Sequence, residues 1–212
     1  MTVQPADQDH LDVKRYGRFT LTEAVRPAFG VPIRPRQGYK LEVYRDRHHN
    51  IRMPMICAAV SAEQLFDVFL DLLKPLGETV HAVLESSHDD EFHDGHTDRE
   101  RRYIDTPVLA SHFCDYEDLL LNDGCTGVAV LASRRPMEVQ FDEHKQFVIY
   151  AADPRPFQRI LKAHGIRRRS TLQLLSEAEH LHHTSDDYAD QFDQLALRLG
   201  VEQSDPVYVD DE

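Results

Sequence analysis

The chain has 212 residues, of which 41% are hydrophobic, and carries 37 acidic against 24 basic residues. This length is enough to bury a core in one domain or in two smaller fused ones. The net charge of −13 repels phosphate backbones and anionic lipid headgroups, so nucleic acid is not an expected partner. No stretch approaches the roughly 18 to 20 apolar residues of a membrane helix, and residues 1–18 lack the apolar segment of a signal peptide. We therefore expect a cytoplasmic protein that does not enter a membrane.

Both ends of the chain are predicted to lie outside the folded domain. Residues 1–38 contain four prolines with little periodicity, and residues 201–212 are acidic and polar. We interpret the first as an N-terminal arm that is loosely ordered or ordered by lying across the core, and the second as an acidic tail. Residues 39–200 then form a single α+β domain, or two fused α+β halves at 39–133 and 134–200.

The domain is predicted to begin with two strands and a helix. Residues 39–44 alternate apolar and polar side chains, and residues 53–60 are a continuous apolar run, so one strand is half-exposed and the next is buried. Ser61 and Gln64 have the spacing of a capping box at the start of a helix. Pro75 ends that helix, because the residue before a proline disfavours the helical conformation.

The order strand, helix, strand then recurs. Strands are predicted at 79–86 and 103–113, followed by a short helix capped by Asp115 and a further strand at 126–133. We therefore predict a ferredoxin-like βαβ–βαβ core over residues 51–133, with helices covering a mainly antiparallel sheet.

The remaining residues are predicted to add a hairpin and C-terminal helices. Residues 142–145 are the four-residue loop of the hairpin. Asp153 begins a helix that Gly165 ends, and a last amphipathic helix begins at Thr184 or Ser185. One continuous core is expected from the apolar faces of these elements, containing Leu65, Phe69, Leu73, Val128, Val130, Phe147, Ile149, Phe157, Ile160 and Leu161.

The three cysteines, Cys57, Cys114 and Cys125, are odd in number and form no Cys-x-x-Cys pair. Each lies in or beside an apolar run, where a free thiol usually packs as a small hydrophobic side chain. The helix predicted between Cys114 and Cys125 would hold their thiols roughly 15 Å apart, too far to share a zinc ion. We therefore expect structural roles for these residues.

The stretch SSHDDEFHDGHTDRER, residues 86–101, combines His88, His93 and His96 with many carboxylates. Its Asp94-Gly95 pair favours a tight hairpin turn, with His93 and His96 facing each other across the tip. Strand alternation directs His88 to the other face, at a separation of roughly 16 Å. A regular hairpin therefore predicts no tightly held metal, whereas an irregular loop could bind a divalent transition metal such as zinc through these three histidines.

Other chemical signatures are sparse. The sequence contains no Gly-rich phosphate loop, nucleophile elbow or HExxH motif. Residues 177–183 could form a helix with His180 and His183 on one face, or a solvated surface segment. The basic triplet of residues 167–169 is interpreted as a solvated face.

The first functional prediction is a non-catalytic module that binds a protein or a small ligand and needs no cofactor. One alternative is a metal-dependent hydrolase with ligands from residues 88–96, because a metal-bound water needs an open coordination position and a nearby base. The other alternative is a homo-oligomeric structural or assembly protein whose exposed sheet edges pair between chains.

Overall fold

A computed structural model describes residues 12–46, 50–88 and 97–203. The strands are β1 (Arg15–Tyr16), β2 (Phe19–Thr20), β3 (Val25–Pro27), β4 (Gly38–Asp46), β5 (Ile51–Ala59), β6 (Thr79–Ser86), β7 (Thr97–Asp105), β8 (Thr126–Ala132), β9 (Met137–Phe141), β10 (Gln146–Ala151), β11 (His180–His182) and β12 (Glu202–Gln203). The helices are α1 (Ala62–Leu73), α2 (Thr106–Asp115), α3 (Glu117–Asn122), α4 (Arg155–Ala163) and α5 (Asp186–Leu199), with 3-10 turns at Lys74–Leu76 and Leu175–Glu177. None of the helices in these ranges has the length and apolar content needed to cross a lipid bilayer.

Eight strands form one antiparallel sheet in the order β12-β7-β6-β8-β9-β10-β5-β4. Three strands lie between β5 and β6, so α1 connects these two strands across a face of the sheet. The predicted α+β class with a mainly antiparallel sheet is confirmed. The ferredoxin-like arrangement of residues 51–133 is not confirmed, because β5 pairs with β4 and β10 rather than with a strand of that segment.

Alternation along the strands builds the main core on one face of the sheet, beneath the five helices of the described ranges. Phe69 of α1 lies at its centre, with its ring centroid 5.4 Å from that of Phe113, 4.9 Å from Phe141 and 6.1 Å from Phe147. Nine of the ten predicted core residues are buried in this cluster, and Ile160 packs against it as a partly buried side chain. The predicted core is confirmed.

A second, smaller core covers part of the opposite face. On β5, Ile56 and Ala58 point into the main core, whereas Cys57 and Ala59 point into the second one. The second core is completed by Phe19, Leu21, Val25, Leu172, Leu174 and Leu175. Residues 12–38, the described part of the predicted N-terminal arm, therefore lie across this face of the sheet.

Several predicted boundaries are confirmed. The loop 142–145 joins β9 to β10. At α5, the side chain of Ser185 accepts a hydrogen bond from the amide of Tyr188, and Gly200 ends the helix with φ +59. The apolar face of α5 packs on the main core.

The predicted capping box at α1 does not form, although the helix begins at Ala62 as expected. The Ser61 hydroxyl instead accepts a hydrogen bond from the amide of Thr20, at 2.9 Å, and donates to Glu63. The side-chain amide of Gln64 donates to Gln37 at 2.9 Å. Both polar side chains of the predicted box therefore tie the helix to the N-terminal segment.

The strand predicted at 103–113 is wrong. Strand β6 pairs with both β7 and β8; β7 ends at Asp105, and residues 106–115 form α2. Pro107 is compatible with the first turn of a helix, and Leu109 and Phe113, four residues apart, are the buried residues of that helix. The predicted Asp94-Gly95 turn lies outside the described residues.

Candidate metal centre

The hairpin between β9 and β10 holds His144. The side chain of Asp142 accepts a hydrogen bond from the amide of Gln146 at 2.8 Å, and the amide of Asp142 donates to the carbonyl of Gln146 at 3.0 Å. Lys145 adopts φ +59 and closes this turn. The second carboxylate oxygen of Asp142 lies 3.3 Å from Nδ1 of His144. The turn therefore fixes the position of the His144 imidazole, and the carboxylate of Asp142 holds its Nδ1.

A short strand far along the chain supplies two more histidines. Strand β11 pairs antiparallel with β3, so that His182 lies opposite Val25. Because successive side chains of a strand point to opposite faces, His180 and His182 share one face and Leu181, which is 45% exposed, lies on the other.

Gly124 anchors this strand beside the loop that precedes β8. Its amide donates to the carbonyl of His183 at 2.7 Å, and its carbonyl accepts a hydrogen bond from Nδ1 of His182. A Cβ at this position would lie 2.4 Å from the carbonyl oxygen of Ala24 and 2.9 Å from backbone atoms of His183. Only glycine permits this approach of three backbone segments.

The rings of His144, His180 and His182 converge. Ring centroids are 4.5 Å apart for His144 and His180, 5.0 Å for His144 and His182, and 4.9 Å for His180 and His182. The Nε2 atoms of His144 and His180 are 2.9 Å apart. One ring nitrogen from each of the three histidines lies within 4.8 Å of the other two, which is close enough to hold one metal ion.

The hydrogen bonds define which nitrogen of each ring faces the cluster. Nδ1 of His180 lies 2.6 Å from the carbonyl of Ala178, and Nδ1 of His182 contacts the carbonyl of Gly124. A carbonyl oxygen can only accept a hydrogen bond, so both rings carry a proton on Nδ1 and, when neutral, a lone pair on Nε2. The carboxylate of Asp142 has the same effect on His144.

This arrangement is typical of metal-binding histidines, which usually donate the N–H of the second ring nitrogen to a carboxylate or a backbone carbonyl. The chain matches nothing in comparisons with protein-family models, curated proteins and solved structures. The chemistry of the three-histidine cluster therefore has to follow from its own geometry and surroundings.

The three histidines are partly buried, and a buried lysine lies next to one of them. Lys145, next to His144, is 5% exposed and donates to the carbonyl of Thr126 at 2.7 Å. Burial lowers the pKa of Lys145 to about 8, against the opposing effect of carboxylates that include Asp123 and Asp142. Burial also acts to lower the pKa of His144, but the hydrogen bond and charge of Asp142 outweigh it, so that this pKa lies above its usual value.

A narrow pocket reaches this region from the solvent. His144 and Lys145 form part of its wall, and Arg36 contributes a charged edge. Apolar side chains form much of the remaining lining, including Phe19, Leu21, Val25, Leu65 and Leu175. Its accessible volume of about 20 Å³ has room for about one water molecule beside one of the three histidines.

A second group of potential metal ligands contains His88, the only predicted site residue within the described ranges. Its Nε2 lies 3.0 Å from a carboxylate oxygen of Asp123, which is fully buried, and Cys125 is the third member. Nδ1 of His88 contacts the hydroxyl of Ser86 at 2.8 Å, and Asp123 also accepts from the hydroxyl of Thr126. These polar groups already have hydrogen-bond partners, which indicates a structural cluster.

The titration behaviour agrees with a structural role for this second group. Burial acts to raise the pKa of Asp123, but hydrogen bonds from His88 and Thr126 hold it below its usual value. Burial raises the pKa of the Cys125 thiol, which disfavours the thiolate that a metal or a nucleophile would require. Cys57 is buried and Cys114 is exposed on α2.

Of the sequence-predicted ligands, His88 belongs to this second group, and His93 and His96 lie outside the described residues. Sequence reasoning missed His144, His180 and His182. The segment 180–182 forms a strand rather than the helix that was considered for it. A His-x-His pair on one face of a strand was the available signal, but nothing local linked it to the hairpin loop of His144.

Proposed function

We propose that the protein binds a divalent transition metal ion through Nε2 of His144, His180 and His182, and that a water molecule bound to this ion makes it a hydrolase. One observation carries the proposal: each Nδ1 of the three converging rings faces an oxygen acceptor. Three Nε2 lone pairs then point into a shared space, where a cation stabilises them.

Zinc is the metal that fits this ligand set best. Imidazole nitrogens suit zinc, and three protein ligands with one open position are typical of catalytic rather than structural zinc sites. Zinc–nitrogen distances of about 2.0–2.1 Å require ligand nitrogens about 3.3 Å apart in a tetrahedron. The 2.9 Å between Nε2 of His144 and of His180 is close to that requirement.

Hydrolysis is the reaction class that such a centre supports. A zinc ion with three histidines lowers the pKa of its bound water to about 7, which supplies hydroxide near neutral pH. Bound zinc would let the oxygen of this water form a bond to an electrophilic carbon or phosphorus while the bond to the leaving group breaks, and the proton released by the water would pass to the leaving group. This proposal keeps the predicted hydrolase alternative but assigns it to other histidines than those of residues 88–96.

The first experiment measures zinc binding and hydrolysis together, on the full chain purified without a histidine tag. His180→Asn and His182→Asn retain an amide N–H close to the position of Nδ1, so they keep the hydrogen bond to the carbonyl and remove only Nε2. His112→Ala, in α2, is the matched control. Activity is followed with nitrophenyl acetate and nitrophenyl phosphate.

We expect about one zinc ion per wild-type chain and per His112→Ala chain, and at least a tenfold loss of zinc affinity in both asparagine variants. Hydrolysis should stop on chelation and return with zinc. Zinc binding without any turnover would support the predicted non-catalytic binding module instead. Equal zinc content in wild type and in both asparagine variants would contradict the proposed centre. The predicted cytoplasmic location and homo-oligomeric alternative stay predictions.

A further inference from the structure

The basic triplet of residues 167–169 is held as an extended segment along the start of β4. The amide of Tyr39 donates to the carbonyl of Arg167 at 3.1 Å, and the amide of Arg169 donates to the carbonyl of Tyr39 at 2.8 Å. Tyr39 and Arg168 thus form a parallel bridge. Because side chains alternate along an extended segment, Arg167 and Arg169 point to one side and Arg168 to the other.

Gly38 leaves room for one of these side chains. A Cβ on Gly38 would lie 2.8 Å from Cδ of Arg169 and 3.2 Å from the carbonyl oxygen of Arg167. Nε of Arg169 also donates to the carbonyl of Gln37 at 3.0 Å. The backbone of residues 37–38 therefore fixes the direction of the Arg169 side chain.

Four arginines line one open pocket of about 400 Å³, which we call the arginine pocket: Arg18, Arg36, Arg167 and Arg169, together with Tyr16, Phe19, Gln37 and Gly165. Arg168 is not part of the lining, as the alternation requires. Other arginines of the chain, such as Arg26 and Arg155, are paired with carboxylates. Within the described ranges, Arg18, Arg36 and Arg167 have no carboxylate within 4.0 Å.

The arginine pocket adjoins the pocket that reaches the metal centre. Phe19 and Arg36 line both pockets. These two side chains therefore lie at the junction of the open arginine pocket and the narrow pocket beside His144.

We propose that the arginine pocket binds the phosphate group of a small organic molecule. Guanidinium groups bind phosphate oxygens in pairs of charge-assisted hydrogen bonds, and their planar geometry matches the phosphate. The net charge of −13 repels long polyanions and anionic membranes but leaves a single phosphate free to enter a local basic pocket. The proposal is independent of the metal centre.

The test titrates inorganic phosphate into the full-length chain freed of metal, at constant ionic strength, and measures binding by calorimetry. The matched variants are Arg167→Gln with Arg169→Gln, Arg36→Gln on a separate segment, and Arg168→Gln as the control. We expect saturable binding to wild type and to Arg168→Gln. The double variant and Arg36→Gln should each lose at least tenfold in affinity.

Two further measurements separate the sources of a phosphate group. Phosphatidylcholine vesicles with added phosphatidic acid test a lipid headgroup, and a short single-stranded oligonucleotide tests a nucleic acid. Binding of either one without binding of free phosphate would overturn the proposal. So would no saturable phosphate binding, or an equal loss in Arg168→Gln and in the double variant.

Phosphate binding is measured without zinc, so its failure contradicts only the arginine pocket. His182→Asn should lose zinc while its phosphate affinity stays that of wild type. A failure of zinc binding, in contrast, contradicts only the metal centre and does not affect the test of phosphate binding.

Discussion

At the scale of single residues, Gly124 has the largest consequence for the candidate metal centre. Its carbonyl accepts a hydrogen bond from Nδ1 of His182, and its amide donates one to the carbonyl of His183. The backbone of Ala24 approaches so closely that a side chain at position 124 has no space. One residue without a side chain thus sets the distance between β11 and the loop before β8.

We expect Gly124→Ala to weaken zinc binding at least tenfold and to destabilise the fold by about 2 kcal/mol or more, since the clash involves backbone atoms that cannot rotate away. Gly30→Ala is the control, because Gly30 has φ +75 but no neighbour within 4 Å. That variant should lose about 1 kcal/mol through backbone strain alone and keep its zinc affinity. Unchanged zinc affinity in Gly124→Ala would contradict the role assigned to this residue.

Glu85, on β6, gives the stability of the protein a dependence on pH. Burial and the nearby carboxylates of Asp98 and Glu138 raise the pKa of Glu85 to about 7. The unfolded chain has an ordinary glutamate pKa of about 4.3. Between about pH 4.3 and pH 7, the folded protein therefore keeps a proton on Glu85 that the unfolded chain has released. The free energy of unfolding falls as the pH rises through this range.

Glu85→Gln, which imitates the protonated side chain, should stabilise the protein at pH 8 by about 1–2 kcal/mol, allowing for partial exposure, and should have little effect near pH 4. A gain of this size raises the melting temperature by several degrees. Glu78→Gln, at an exposed position, should leave the pH dependence as in wild type. A Glu85→Gln chain with the same melting temperature as wild type at pH 8 would show that burial of this carboxyl is not destabilising.

At the scale of elements, α1 shows how local signals and packing agree. The helix begins after Ser61 and ends before Pro75, as the sequence indicates. Its buried face places Phe69 against the aromatic rings of α2, β9 and β10. The main core therefore depends on the contacts of α1 with a neighbouring helix and with the sheet.

Phe69→Ala should reduce the free energy of unfolding by about 3–5 kcal/mol, because it leaves a cavity that rigid neighbours cannot fill. Leu197→Ala on α5 removes a side chain that is 82% exposed and should cost less than about 0.5 kcal/mol. Chemical denaturation of both variants checks this difference. A loss below 1 kcal/mol in Phe69→Ala would mean that the central packing is wrongly described.

Elements with strong local signals were predictable, and those with competing signals were not. The strand at 79–86 and the loop at 142–145 follow from alternation and turn residues, and both are confirmed. Residues 106–113 contain several apolar side chains, and by composition alone they fit a strand. The spacing of four between Leu109 and Phe113 fits a helix instead. The sheet order could not be predicted, since it depends on pairing between distant segments.

At the scale of the whole molecule, the candidate metal centre is assembled from segments that are far apart in the chain. His144 lies in a hairpin loop, and His180 and His182 lie on a strand whose partner is Val25–Pro27. No sequence pattern specifies that pairing. The histidines of residues 86–101 can be grouped from the sequence alone because they lie close together in the chain. The ligands of the proposed centre become neighbours only after folding.

The distribution of charge over the surface also depends on folding. The chain is strongly acidic overall, yet the fold gathers Arg18, Arg36, Arg167 and Arg169 around one pocket. A count of charges predicts repulsion of polyanions but says nothing about a local site for a small anion. The arginine pocket is therefore the proposed site for a small phosphorylated molecule.

X-ray absorption spectroscopy of the zinc-loaded, untagged chain tests the central claim most directly, because it identifies the atoms bound to the metal. The account predicts three imidazole nitrogens and one further light atom at about 2.0–2.1 Å, with the imidazole signals reduced in His182→Asn. A sulfur atom at about 2.3 Å would place the ion at Cys125 with His88 and Asp123 and would contradict the three-histidine centre, as would the absence of bound zinc.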